Sequence, residues 1–281
     1  MKIQTLDLGD IKSDLLIFGG PYSNLAATQA ILEKAASLNI KPSNIICTGD
    51  VVAYCAEPEQ TSQLIMHSGI SVVMGNCEES LASGSNDCGC GFDLKMLCSA
   101  LSEKWYQYAQ QNISSKTREW MSTLPKAIEF NCNGKKFRVI HGGTRQINQF
   151  IFPSTDQTIK LQQFDDLDTD CIISGHSGLP FGQQLGKKTW LNAGVIGLPA
   201  NDGTQQGWYL LLHPTKNTIQ ISWHRLDYPL QQTHQAMQQN GLTEYAKCLV
   251  TGLWPSTDVL PLKEQSLQGQ QLLIPEITIY L

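Results

Sequence analysis

The chain has 281 residues, 41% of them hydrophobic and 16% charged, with a formal net charge of −5. That length and apolar content can bury a large core, and the longest apolar runs fall well short of the ~18 residues that cross a bilayer. The acidic balance and the lack of a basic run argue against a nucleic-acid backbone or a membrane surface as the main partner, although a metal or a local arginine can still attract phosphate.

The start, "MKIQTLDLGD", has neither a basic n-region nor a long apolar stretch, so it does not read as a signal peptide, and a cytoplasmic protein is expected. Short apolar runs then alternate with helical patterns, as in βαβ units. The runs are "LLIFGG", "SNIICTGD" and "ISVVMGN". Between the first two, Leu25, Thr28, Leu32 and Ala35 share one helical face behind a capping Asn24, and Pro58 opens a second helix. From about Leu94 to Met121 the pattern is helical. Beyond it come a hairpin turning at Asn133-Gly134, the strand "DCIISGH", a second hairpin near Gly186, and the strands "GWYLLLH" and "TIQISWHRL". In the tail, 229–281, two short helices divided at Gly241 precede "QLLIPEITIYL", which reads as a closing strand or a partner-binding segment. No composition break marks a boundary, so 1–281 is read as a single domain with a C-terminal extension at about 229–281.

Four predicted strands end in a polar residue suited to a metal or a phosphate: Asp50 in "CTGDVV", Asn76 in "VMGNCEE", His141 in "RVIHGG" and His176 in "ISGHSG". Open sheets build their sites at the carboxyl ends of strands, because the strands hold the turn residues rigidly along one edge. One carboxylate, one amide oxygen and two imidazoles suit a divalent Mn, Fe or Zn ion. Singly, each is as well explained as a turn or a hydrogen-bonded side chain; the ordered set is what points to a site. His67, His213, His224 and His234 lack such context and are read as structural or solvent-exposed.

This ordered set resembles the calcineurin-like metallophosphoesterases, whose motifs run D-x-H, G-D, G-N-[HC]-[DE], H-G and G-H-x-H. "LNAGVIGLPAND" is also similar to the Asn-x-Gly segment that follows them, and the likeness spans roughly 15–225. It implies an α/β fold, a four-layer αββα sandwich of two mixed sheets, and two metal ions sharing a bridging aspartate at Asp50. Asn76, His141 and His176 would complete the second metal's ligands. The first metal's places hold Gly20, Tyr22 and Gly178, so the first site is expected to be absent in its usual form and the second intact.

The implied activity is hydrolysis of a small phosphorylated metabolite or nucleotide, as a phosphatase or phosphodiesterase, with Asp50, Asn76 and Cys77 as catalytic residues. Cys77 stands where many members carry a histidine thought to protonate the leaving group. Tyr22 is read either as a donor to phosphate or as an aromatic that packs the empty place. Arg145 could bind a phosphate oxygen with its fork of donors, or be a surface arginine. Nine cysteines in a chain without an export signal read as reduced thiols, core residues or ligands rather than disulfides. Cys77, Cys88 and Cys90 are candidate thiolate ligands for a second metal or an iron-sulfur centre, with apolar burial an unpromising reason for the last two, whereas Cys98 reads as a core residue. Glu78 is read as a helix cap and Asn24 as ordering its loop. The alternative function is a catalytically weak or inactive binding or regulatory protein retaining one metal, and redox or thiolate-metal sensing stands third. Homo-oligomerisation is compatible with the chain.

Overall fold

A computed structural model describes residues 4–91 and 97–281, so the first residues of the predicted 94–121 helix, and the side chain of Cys98, lie outside the described residues. The chain opens with strands β1 (Thr5–Ile11) and β2 (Leu15–Phe18), helix α1 (Leu25–Ser37), β3 (Ile45–Cys47), α2 (Pro58–His67), β4 (Ser71–Val72) and α3 (Asn76–Ser83). Helices α4 (Leu97–Asn112) and α5 (Ser115–Ser122) follow, then β5 (Ala127–Cys132), β6 (Lys135–Val139), α6 (Gln157–Gln162), β7 (Cys171–Ser174), β8 (Phe181–Leu185) and β9 (Lys188–Asn192). The remainder is β10 (Gly207–Pro214), β11 (Thr218–Leu226), α7 (Leu230–Gln239), α8 (Thr243–Thr251), α9 (Leu262–Gln265) and β12 (Ile277–Tyr280).

These strands form two mixed sheets, ordered β1-β5-β6-β7-β9-β8 and β12-β11-β10-β2-β3-β4. In β2 the side chains alternate, as a strand's period of two requires. Leu15 and Ile17 point into the layer between the sheets, where they meet Phe130, Val139, Ile173 and Leu191 of the facing sheet. Leu16 and Phe18 point outward beneath the helices. A strand apolar on both faces belongs in the middle of a sheet, and β2 lies between β10 and β3. Both predicted hairpins are present: β5 pairs with β6 around Asn133 and Gly134, each at positive φ, and β8 pairs with β9 around Gly186. Asn24 caps α1, its Oδ1 accepting from the Ala27 N–H at 3.0 Å.

The two helical layers are unequal. Helices α1 to α5, α7 and α8 contribute to the cluster outside the second sheet, whereas among the described residues the outer cluster of the first sheet, which includes Phe164, Ile172, Phe181 and Trp190, holds no residue of these helices. Two readings of helices change. The buried face of α1 is Ala27, Thr28, Ile31 and Ala35, with Leu25 and Leu32 half-buried at its edges. The single predicted helix is broken at Ser114, whose hydroxyl caps the Thr117 N–H and, together with its own N–H, is held by Glu59.

Candidate active site

The loops after β3, β4, β6 and β7 bring Asp50, Asn76, His141 and His176 together, and all four are buried. Asp50 and His176 adopt the left-handed backbone region at φ 54° and 55°, uncommon for non-glycine residues and typical of side chains held in place by their surroundings. His141 is oriented by its Nδ1–H, which donates to the Thr48 carbonyl at 2.7 Å, so Nε2 presents a lone pair when the ring is neutral. Facing that Nε2 are Asn76 Oδ1 at 3.0 Å, His176 Nδ1 at 3.1 Å and Asp50 Oδ2 at 3.3 Å. The Asn76 amide is turned this way because its NH₂ donates to the Cys88 carbonyl at 2.9 Å.

A proton on either ring satisfies few of these contacts, whereas a divalent cation would satisfy all four donors. The carboxylate, amide and imidazole set therefore fits a metal of the Mn, Fe or Zn type. The candidate ligand atoms of Asp50, His141 and His176 lie within 4.8 Å of one another. Burial pushes the Asp50 carboxyl up, but the neighbouring imidazoles and a hydrogen bond from the Cys77 thiol outweigh it, and the carboxyl is held below its ordinary range. Burial, reinforced by His141, lowers His176 to about 3.

Glu78 does more than cap a helix. Completely buried, it accepts hydrogen bonds from the N–H groups of Gly75 at 3.0 Å, Asp50 at 2.8 Å and Val52 at 3.2 Å. It thereby ties the Asp50 turn to the start of α3, which also carries Asn76. Asn24 links three segments, since its amide donates to the Gly197 carbonyl and its oxygen accepts from Thr233 in the tail.

Tyr22 lies between Gly20 and Gly178. A Cβ on Gly20 would come within 2.6 Å of Tyr22 Cζ and of Val195 Cγ1, and a Cβ on Gly178 would be 3.9 Å from the Tyr22 hydroxyl. One phenol ring thus sits against both vacated positions. Tyr22 and Gly178 line a cavity that opens beside Asp50 and His176.

The thiolate reading of Cys88 and Cys90 is corrected. Cys88 and Cys90 are joined by a disulfide and are nearly buried, which removes both as free thiolates and makes them part of the core. Cys77 is buried with its thiol turned to Asp50; burial, followed by the charges of Asp50 and Glu78, raises its pKa far above the ordinary value. It is therefore held as a neutral thiol beside Asp50. Arg145 lies outside the aromatic cavity but lines a second one that also reaches His141; its side chain is 68% exposed and lies 3.9 Å from Asp165 and Asp166. The four histidines read as structural sit elsewhere, with His213 on Asp14 and His67 on the Gln63 carbonyl.

Tyr54, Phe150, Tyr245 and Trp254 also line the cavity and were missed from the sequence. Tyr54, Phe150 and Trp254 are loop aromatics outside any apolar period, whereas Tyr245 lies on the buried face of α8 with Cys248 and Leu249 and reads there as core. Only the fold shows that segments so far apart meet at one place.

A model of the calcineurin-like phosphoesterase superfamily domain matches residues 13–217. An uncharacterized protein of Methanocaldococcus jannaschii is 26% identical over 252 residues, which cover 84% of this chain and 96% of that protein. Among solved structures, a metallophosphoesterase from Sphaerobacter thermophilus superposes with a TM-score of 0.67 at 19% identity, covering 86% of this chain and 100% of its own. A hypothetical protein from Pyrococcus horikoshii gives 0.71 at 14% identity, covering 86% and 99%. These two likenesses concern the fold.

Proposed function

This chain belongs to the calcineurin-like phosphoesterase superfamily, and from that premise we propose that it hydrolyses phosphoric esters with a single divalent ion held by Asp50, Asn76, His141 and His176. The observation that carries the reading is the convergence of Asn76 Oδ1, His176 Nδ1 and Asp50 Oδ2 on His141 Nε2, all within 3.3 Å. When bound, such an ion supplies a Lewis acid for a phosphoryl oxygen and lowers the pKa of water towards neutrality.

The rest falls to the chain's own groups. Asp50 remains a carboxylate and lies where it can orient a water beside the ester. Tyr22 stays a neutral phenol, because burial and then the Asp50 charge raise its pKa well above the ordinary value. Its hydroxyl is thus available to donate a hydrogen bond to an ester oxygen, in the place where a second ion would otherwise act. Glu78 and the Thr48 carbonyl hold Asp50 and His141 in register without touching substrate. The aromatic walls keep bulk water from the ester and strengthen these polar contacts.

A second reading, a binding or regulatory protein that keeps one metal without turnover, is favoured by one observation: Tyr22 packs against the places of the missing ligands. The same experiment separates the two. Metal per chain is measured by elemental analysis after exposure to Mn²⁺, and hydrolysis is followed with p-nitrophenyl phosphate and bis(p-nitrophenyl) phosphate. The expected wild-type result is about one ion and measurable turnover, with both lost in Asp50→Asn and activity falling by about 100-fold or more. Undiminished hydrolysis in Asp50→Asn overturns the mechanism, and a metal-loaded wild type that turns over no ester selects the binding reading.

A further inference from the structure

The cavity beside Asp50 is completed by residues from outside the superfamily match, which ends at residue 217. Tyr245 on α8 and Trp254 just beyond it line, from the tail, the cavity that Asp50 and His176 also line. We propose that this tail-built aromatic wall sets the specificity of the site, selecting a monoanionic phosphodiester that carries a flat aromatic group over an alkyl diester or a dianionic monoester. The proposal deepens the hydrolase reading and rests on it for the identity of the ester.

The first ground is shape. Tyr54 stands 4.5 Å from Tyr245 at an interplanar angle of 31°, and 4.7 Å from Tyr22 edge to face. On the opposite side Phe150 covers the His176 ring, with centroids 4.2 Å apart. Trp254 is pinned at both ends: its backbone N–H donates to Asn201 Oδ1 at 2.8 Å, and its indole N–H donates to the Pro199 carbonyl at 2.7 Å. With the indole donor already used, the indole's interaction with a ligand is through its ring. The indole also stands 3.2 Å from where a Cβ at position 178 would lie, so it shares with Tyr22 the space left by the missing histidine. Fixed aromatic rings of this kind reward a flat partner through offset or edge-to-face packing.

Charge is the second ground. Among the described residues, those lining the cavity include Asp50 but no lysine or arginine. A divalent ion with one carboxylate and two imidazole ligands, neutral when they hold a metal, leaves at most about +1, because the buried Glu78 carboxyl behind the Asp50 turn can only lower it. A phosphodiester carries one negative charge and balances it. A monoester dianion leaves one charge facing apolar walls, where an unpaired charge is costly.

Binding gives a readout that does not require turnover. Diphenyl phosphate, dimethyl phosphate and phenyl phosphate are titrated calorimetrically into metal-loaded protein at pH 8, where the first two are monoanions and the third is a dianion. Diphenyl phosphate is expected to bind at least tenfold more tightly than either of the others. Trp254→Leu and, separately, Tyr245→Leu should each weaken diphenyl phosphate by about three- to tenfold while leaving dimethyl phosphate unchanged. Metal content near one ion and a retained unfolding transition show that each variant is folded. Should either replacement fail to fold, the wild-type ranking still decides. Equal binding of the diphenyl and dimethyl esters, or tighter binding of the monoester, overturns the proposal. If the ranking holds while the loaded enzyme hydrolyses no ester, the specificity wall stands and the hydrolase reading falls.

Discussion

Gly20, Tyr22 and Gly178 show how much one side chain can explain. The sequence exposes all three as departures from the family pattern, yet it cannot show that one ring lies against both glycines, because Gly178 is remote along the chain and the packing is tertiary. The gap itself supports no simple repair. Gly178 has φ +72°, and a Cβ there would lie 3.2 Å from Trp254 Cζ2. Gly178→His should therefore destabilise the protein by about 1–3 kcal/mol, from backbone strain plus displacement of the indole. It should leave the metal content at one ion, because Gly20 and Tyr22 still deny the site its other ligands. Thermal unfolding and elemental analysis check both outcomes, and a stable variant with two ions would mean that the first site is latent rather than lost. The cysteines make the converse point: their local clustering was legible, but partnership between Cys88 and Cys90 required the backbone path.

Elements with a strong local signal were read well and those defined by tertiary contact were not. The turn at Asn133-Gly134 needs two residues at positive φ, so its chemistry was visible in two letters. Helix α6 is six residues long, offers no apolar period, and earns its place through Lys160. That side chain is fully buried, its ammonium donating to the Pro153 carbonyl at 2.8 Å and to Gln183 on β8, with the Phe181 ring 5.4 Å away. Burial pushes its pKa down to about 8 from 10.5. Between those values the unfolded chain holds a proton that the folded chain has released. By linkage, the stability contributed by this group rises with pH from about 8 to about 10.5, and below 8 the cost of burying the charge is fully present. Lys160→Met removes the titration while keeping an apolar stem. The wild-type stability relative to that variant should improve steadily as denaturant unfolding is repeated from pH 7.5 to pH 10. A constant difference across that range would mean that Lys160 titrates normally in the folded protein.

At the scale of the molecule, the βαβ alternation and the two hairpins made the paired sheets legible, and the strand-end positions made the clustering of Asp50, Asn76, His141 and His176 legible, because both depend on local patterns repeated in order. In the tail the two helices divided at Gly241 and the closing strand were legible, but not what they cover, because its apolar residues are spread over short helices and loops and acquire a common purpose only on the surface they cover. Met237, Leu242 and Leu249 pack into the cluster beneath the helices, while Leu260 and Ile279 join the layer between the sheets. Burying these large side chains at roughly 1.5–3 kcal/mol each contributes about 8–15 kcal/mol. That is as large as the typical net stability of a domain, about 5–15 kcal/mol. A chain ending at Tyr228 should therefore lack a cooperative unfolding transition and be digested by low protease concentrations that spare the full protein. A chain ending at Pro275 loses only β12, whose buried side chain is Ile279, and should keep its transition at a midpoint lowered by several degrees. Should the shorter chain fold cooperatively and bind one Mn²⁺, the tail is a cover laid over a finished sandwich. Loss of folding in the shorter chain alone makes the segment that supplies Tyr245 and Trp254 part of the core as well as part of the site.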